Sequence, residues 1–211
     1  MNNIIKSLNR RYATKVFDPT HKLSDDQLFQ LTESLRLTPS SFGIQPWKFI
    51  VVSNSTIREE LVSHSWWQRQ VADASHLIVL CVANDVTETH VQNYINDIAH
   101  TRWVTLEILD GYKNIMNGSL ESKTSEIRRE RAEKQIYIAL GFLLSIAAQL
   151  EIDTCPMEWF DSQAYDKLLW LEGSWYHSVV IVPVGHRSPD DTYAQAPKVR
   201  YPAEQVIEYI K

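Results

Sequence analysis

The stretch TPSSFGIQPW, Thr38–Trp47, separates a helical pattern from a strand pattern. It contains two adjacent serines, two prolines and Gly43, the only glycine among the first 110 residues. Pro39 ends the preceding helix, because a residue before proline is pushed out of the helical region. Gly43 permits a tight turn, and the apolar run WKFIVV that follows predicts a strand. These rules explain the prolines and the glycine. They leave unexplained why two hydroxyls, Ser40 and Ser41, stand side by side in the turn.

Helical and strand patterns mix along the chain without a regular βαβ order, which predicts an α+β fold around a central sheet. Ser24 and Gln27 predict one helix start through a capping box, and Thr56 and Glu59 predict another. The polar segment 110–127, which holds two glycines, predicts an exposed loop or the edge of a lid. The predicted helices, these two included, lie at 3–9, 24–37, 55–62, 91–109, 128–150 and 164–171. The predicted strands lie at 47–52, 76–83 and 178–185. A further strand leads into a turn at 152–161.

Length and composition favour one cytoplasmic domain. The 211 residues suit a single core, and the net charge of −5 argues weakly against nucleic acid or an anionic membrane as partner. The N-terminus lacks the apolar core of a secretory signal, and the longest apolar run, 136–150, is too short to span a bilayer. Cys81 and Cys155 lie in apolar runs, which favours buried reduced thiols over a disulfide.

Several common kinds of site lack their motifs in this sequence. Glycine-rich phosphate loops, the H-E-x-x-H zinc motif and the G-x-S-x-G elbow are all absent, and the seven histidines show no ligand spacing. No metal site is therefore expected. What remains are basic residues at both ends of the chain. Arg11 and Lys15 are four apart, and Lys198 and Arg200 in PKVR point the same way on an extended chain. Each pair alone is more typical of solvated surface charge than of a site.

Five ordered segments make the chain resemble the nitroreductase family of FMN-dependent NAD(P)H oxidoreductases, most closely its oxygen-insensitive bacterial type. The most specific is TPSSFGIQPWKFIVV, which resembles the P-S-S-x-x-x-Q-P-W signature. The others are RRYATKVFD, the core-helix sequence KQIYIALGFLLSIAAQLEID, CPMEWFD and the C-terminal VPVGHRSPDD…PKVRYP. The resemblance covers nearly all of residues 1–211. It implies a mixed or antiparallel sheet flanked by helices, with an excursion at about 91–127 over the active site. It also implies an intertwined homodimer in which the C-terminal tail adds a strand to the partner's sheet.

The resemblance also implies a binding site for FMN, and no side chain is singled out as catalytic. Arg11 and Lys15 would grip the phosphate and ribityl chain, and Lys198 and Arg200 would complete the phosphate site. The loop after Pro39 would reach the cofactor of the other subunit. Gln70 would lie near the pyrimidine edge of the flavin, and a backbone N–H near Glu158 would point at N5. The full set of implied cofactor-binding residues is Arg11, Tyr12, Ala13, Lys15, Ser40, Ser41, Gly43, Gln70, Pro156, Met157, Glu158, Trp159, Lys198 and Arg200.

The implied reaction is a ping-pong hydride transfer from NAD(P)H to FMN and on to a small nitroaromatic or quinone acceptor. Two alternatives remain open. The acceptor could be a pteridine, an enone or a halogenated ring, or the protein could bind FMN without turnover. The chain departs from the family pattern at Trp159, where a glycine is usual, at Gly43, where an asparagine is common, and at Trp66–Trp67, where an amide is frequent. These departures affect the pocket rather than the phosphate ligands.

Overall fold

A computed structural model describes residues 3–211, and in it a four-stranded antiparallel sheet lies between two layers of helices. The strands are β1 (Trp47–Val52), β2 (His76–Ala83), β3 (Asp153–Thr154) and β4 (Tyr176–Gly185), in the order β1-β2-β4-β3. The helices are α1 (Asn3–Arg10), α2 (Asp25–Arg36), α3 (Ser55–Ser63), α4 (Gln70–Asp73), α5 (Glu88–Arg102), α6 (Leu106–Glu121), α7 (Ser125–Gln149), α8 (Ser162–Leu168) and α9 (Ala203–Val206). The predicted α+β class is confirmed.

Strand β2 is buried on both faces and joins two hydrophobic cores. Leu77 and Val79 pack on one side of the sheet, in a core shared with α3, α4 and α8. Ile78 and Leu80 pack on the other side, against α2 and α7. A continuous apolar run is what a strand covered on both faces requires, so the sequence pattern of β2 predicted its position correctly.

The helix caps were predicted correctly in one case and wrongly in another. Ser24 caps α2 through the predicted box, since its hydroxyl accepts from the Gln27 N–H and the Gln27 side chain accepts from the Ser24 N–H. Helix α3 begins at Ser55, as predicted, but its cap differs from the predicted one. Its N-cap is Asn54, whose carbonyl oxygen accepts from the Ile57 N–H at 3.0 Å, so the box at Thr56 and Glu59 was wrong. Asparagine ranks at least as high as threonine as an N-cap, which explains the preference.

The excursion is a helical hairpin, so the expected loop at 110–127 was wrong. Helix α5 ends at Arg102, where Trp103 adopts a left-handed conformation, and α6 then runs to Glu121. Leu109, Tyr112 and Met116 recur at helical spacing on α6 and pack against α5. The two glycines of α6 misled the prediction because each costs only about 1 kcal/mol in a helix, which packing can offset.

The remaining features agree with the sequence or leave its predictions open. Cys81 and Cys155 are buried and unpaired, as expected. Within residues 3–211, no helix has both the length and the apolar character needed to cross a membrane. After α9 the tail continues to Lys211 without an assigned strand. Because the structure contains one chain, strand exchange with a partner stays a prediction.

Candidate active site

Three cations from opposite ends of the chain lie close together. The Lys198 ammonium donates a hydrogen bond to the backbone oxygen of Arg11. Burial and then the charge of Arg200 lower the pKa of Arg11. Burial, followed by the charges of Arg200 and Arg11, likewise lowers the pKa of Lys198. We call Arg11, Lys198 and Arg200 the cation cluster. The structure thus brings Arg11 together with Lys198 and Arg200, which lie nearly 190 residues later in the sequence.

The cation cluster has no internal counter-charge. Within residues 3–211, none of its members forms an ion pair with a carboxylate. The Nε of Arg11 is buried and has no hydrogen-bond partner among these residues. An unused buried donor is costly unless a ligand accepts from it. A phosphate dianion fits this arrangement, because it supplies both the missing charge and the missing acceptors.

Asp191 holds the segment that follows Arg11 in place. Its carboxylate accepts from the backbone N–H groups of Lys15 at 2.7 Å and Val16 at 3.0 Å, and from the Tyr12 hydroxyl at 2.9 Å. Burial alone would raise the pKa of Asp191, but these backbone and hydroxyl donors lower it below its usual value. The Arg187 guanidinium lies 4.5 Å from the centre of the Tyr12 ring. Tyr12 thus shapes the segment through its side chain, and its backbone remains the part available to a cofactor.

Lys15 and Gln70 approach the same point on the chain, at Cys155. Burial raises the pKa of the Cys155 thiol, while the charge of Lys15 and the polar side chain of Gln70 act in the opposite direction. Ala13 pairs with Thr154 in a parallel bridge, which brings the N-terminal segment alongside β3. The structure therefore places Ala13, Lys15 and Gln70 around the start of the segment 155–159.

The segment Cys155–Trp159 is hydrogen-bonded at its middle residue and has unpaired backbone N–H groups at its end. Met157 donates to the Ile181 oxygen at 2.8 Å and accepts from the Ile181 N–H at 3.0 Å. Within the described chain, the backbone N–H groups of Glu158 and Trp159 donate to no other residue. The Tyr137 hydroxyl donates to Glu158 Oε1 at 2.8 Å. Burial, that hydrogen bond and the Glu158 charge raise the pKa of Tyr137 to about 12. The two unused N–H groups fit the expected donor to a flavin ring.

Trp159, the last residue of this segment, is exposed, and its carbonyl accepts from the Gln68 amide at 3.4 Å. Trp66 and Trp67, which precede Gln68 in the chain, are exposed as well and have left-handed backbones, with φ of 50° and 62°. Side chains rarely adopt such backbone conformations without a compensating constraint. The Gln68 contact thus connects the region of the Trp66–Trp67 departure to the departure at Trp159.

The Ser40–Gly43 turn packs against the excursion and α7. The Ser41 N–H donates to the Gln135 side chain at 2.8 Å, and the Gln45 N–H donates to the Ser40 hydroxyl at 2.9 Å. Gly43 has a φ of +75°, and a Cβ added there would lie 2.1 Å from the Tyr94 hydroxyl oxygen. Only glycine accommodates both the left-handed φ and the close approach of Tyr94. The fold therefore favours glycine at position 43 whether or not the turn binds a cofactor.

The predicted residues thus form two groups in the single chain. One group surrounds the cation cluster and the segment 155–159, and the other is the Ser40–Gly43 turn. Within residues 3–211, no hydrogen bond or ion pair joins the turn to Arg11, Lys15, Lys198 or Arg200. Two half-sites on one chain are consistent with a site completed by a second copy.

Comparison with known proteins identifies the family. The family model described as "Nitroreductase family" matches residues 8–186. A predicted NAD(P)H nitroreductase of Staphylococcus haemolyticus is 36% identical over 217 aligned residues, which cover 98% of this chain and 97% of the relative. The chain therefore belongs to the nitroreductase family.

Solved structures show the same fold at lower identity. A nitroreductase-like protein of Streptococcus mutans has a TM-score of 0.86 and 21% identity, with 100% of each chain covered. A predicted nitroreductase of Exiguobacterium sibiricum, solved in complex with FMN, has a TM-score of 0.83 and 19% identity, with 100% of this chain and 98% of that chain covered. The nitroreductase-like fold expected from the sequence is thereby confirmed.

Sequence reasoning missed three residues that shape the site. Asp191 fixes the segment 12–16, Gln135 holds the turn, and Tyr137 holds Glu158. Asp191 is also the N-cap of the short 3-10 helix Thr192–Gln195, so its place before that turn was a signal for capping. Gln135 and Tyr137 gave a weaker signal, as polar groups where the polar first half of α7 gives way to its apolar second half.

Proposed function

We propose that the chain is an FMN-dependent NAD(P)H oxidoreductase that works by ping-pong hydride transfer to a nitroaromatic or quinone acceptor. The observation that carries the proposal is the cation cluster, with its buried unused donor and no carboxylate partner. Family membership, and the FMN complex of a protein with the same fold, support the choice of FMN as the phosphate ligand. When bound, FMN supplies the hydride chemistry, and the protein supplies binding, orientation and electrostatics.

The residues of the chain take distinct parts in this proposal. Arg11, Lys198 and Arg200 hold the phosphate, with Lys15 and the backbone of Tyr12 and Ala13 beside the ribityl chain. Gln70 reaches the pyrimidine edge, and Pro156, Met157 and Trp159 line the ring. The N–H groups of Glu158 and Trp159 are preset donors, which cost no reorganisation when charge develops near them. Ser40, Ser41 and Gly43 complete the site of a partner subunit.

We further propose that the protein acts as a homodimer. Helix α1 exposes Ile5 and Leu8, and the adjacent α7 exposes Ile138 and Phe142. Apolar side chains exposed on two touching helices are a candidate interface. In the proposed dimer, a second copy covers this surface and brings a Ser40–Gly43 turn to each cation cluster.

The first test is the cofactor itself. The purified protein should be yellow with an FMN spectrum, and NADH or NADPH should bleach it under anaerobic conditions. Protein that takes up no added FMN would refute the proposal, and protein that holds FMN without bleaching would favour a binding or storage role. Assays with nitroaromatics, quinones, pteridines, enones and halogenated rings would then identify the acceptor class.

The second test addresses the phosphate assignment. Arg200→Ala should weaken FMN binding about 10- to 100-fold, because a hydrogen bond to a charged group contributes about 1.5–3 kcal/mol. Arg36→Ala is the matched control, since Arg36 is an exposed arginine paired with Glu33 on α2. FMN affinity would be measured by fluorescence titration of flavin-free protein. Equal affinity in both variants would contradict the assignment.

A further inference from the structure

A recess away from the cation cluster lies where the back of the turn meets the excursion and α7. Its floor is apolar and includes Ile44, Val86, Leu120 and Ala132. Val86 and Ala132 belong to a small buried cluster with Val82, so the floor is part of a packed core. An apolar floor of this kind would hold the carbon skeleton of a small ligand.

The rim of the recess is cationic. Lys123, Arg128 and Arg131 line it, and no acidic residue does. Asp85 neutralises Arg128 through two contacts, at 2.6 and 2.8 Å. Lys123 is hydrogen-bonded to the hydroxyls of Ser119 and Ser122, which are neutral, so its charge is not balanced.

Arg131 is the second cation of the rim without a balancing charge. Its side chain has no hydrogen bond or ion pair in the described part of the chain. Together with Lys123, it leaves two positive charges facing an apolar recess. This combination selects a molecule with an anionic end and an apolar body.

The size of the recess limits the occupant. Its cavity volume is about 60 Å³. One water needs about 10–15 Å³ on this scale, so the recess holds about four to six waters, which take about 120–180 Å³ as liquid, or a ligand of about ten heavy atoms. A carboxylate on a single ring, or on a short branched chain, has this size. A nucleotide does not.

We propose that this recess is a second ligand site, which binds a small organic carboxylate with its apolar body on the Ile44–Ala132 floor and its anion at Arg131 and Lys123. The site is separate from the cation cluster, since none of its lining residues belongs to that cluster. Ser41 and Gln135 form part of its wall, and their hydrogen bond of 2.8 Å fixes the turn. The occupant would therefore contact the back of the turn that we assign to the partner's flavin.

The test uses 4-fluorobenzoate as the probe and follows its binding by fluorine NMR, with and without FMN. Charge reversal by Arg131→Glu should weaken binding by about tenfold or more, since it replaces attraction with repulsion. Arg131 is exposed, so the substitution should leave the fold intact. The matched control is Arg129→Glu, two residues away on α7 and outside the recess, which should leave the affinity unchanged. The neutral analogue 4-fluorobenzamide should bind about tenfold more weakly than the carboxylate.

The proposal would be overturned by an affinity that Arg131→Glu leaves unchanged, by equal binding of the neutral amide, or by no binding of the probe up to about 10 mM. Arg200→Ala separates this site from the proposed flavin site. If it abolishes probe binding, the probe occupies the cation cluster and the recess is not a ligand site. Retained binding in that variant, together with loss in Arg131→Glu, supports the recess whether or not FMN binds the protein.

Discussion

At the scale of single residues, Asp191 organises more of the site than any residue that the sequence pointed to. It is almost fully buried and accepts four hydrogen bonds, from the N–H groups of Lys15, Val16 and Tyr193 and from the Tyr12 hydroxyl. Four donors directed at one carboxyl group favour its ionised form. The carboxylate therefore links the C-terminal strand region to the segment that carries Arg11 and Lys15.

Asp191→Asn should lower the free energy of unfolding at pH 7 by about 1–3 kcal/mol, because an amide nitrogen would face buried N–H donors. The effect should depend on pH. The pKa of Asp191 is lower in the folded protein than in the unfolded chain, so its contribution is fully present above about pH 4 and is lost as the pH falls through the folded pKa. The difference between wild type and variant should therefore shrink below pH 4 in urea unfolding. A difference that is as large at pH 3 as at pH 7 would show that the carboxylate charge is not responsible.

At the scale of elements, the turn depends on glycine for two reasons that can be separated. Gly43 combines a left-handed φ with a close approach to Tyr94, whereas Gly173 has a φ of +72° and open space around it. Gly111 lies inside α6, also with open space. Gly111 thus has neither a left-handed backbone nor a steric contact, Gly173 has the left-handed backbone alone, and Gly43 has both.

Substitution by alanine should rank the three glycines in a fixed order. Gly111→Ala should stabilise the protein by about 0.5–1 kcal/mol, because alanine favours the helix. Gly173→Ala should cost about 1–2 kcal/mol through the left-handed backbone alone. Gly43→Ala should cost more than Gly173→Ala, since the new Cβ also meets Tyr94. Thermal and urea unfolding would measure all three, and equal losses at positions 43 and 173 would rule out the Tyr94 contact as a cause.

The elements also show where sequence reasoning succeeds and where it stops. Strand β2 and helix α7 were predictable because their apolar runs are long and reflect burial directly. Helix α6 was missed because Gly111 and Gly118 were read as loop residues. The helical spacing of Leu109, Tyr112 and Met116 was the correct signal. The sequence assigned a cofactor role to Arg11, Lys198 and the turn only through the resemblance to a known family. The partners that position them, such as Asp191 for Lys15 at a separation of 176 residues, depend on tertiary contacts that no local pattern encodes.

At the scale of the whole molecule, the proposed half-sites would connect assembly with cofactor binding. The cation cluster lacks the turn, and the turn lacks a cation cluster, within one described chain. If a second copy supplies the missing half, FMN binds the dimer more tightly than the monomer. By mass action, FMN then stabilises the dimer, and loss of the dimer weakens FMN binding.

Phe142→Asp tests both parts of this coupling. Phe142 lies on the exposed apolar face of α7 and is 42% exposed in the single chain, so an aspartate there is tolerated in a monomer but places a charge in an apolar interface. The variant should sediment as a monomer at micromolar concentrations where we expect the wild type to be a dimer, and its FMN affinity should fall at least about tenfold. Trp170→Asp is the control, because Trp170 is 78% exposed and lies outside α1 and α7. A monomeric Phe142→Asp protein with wild-type FMN affinity would mean that one chain makes a complete site. A dimeric Phe142→Asp protein would mean that α7 does not form the interface. A different surface would then have to bring the turn to the partner's flavin.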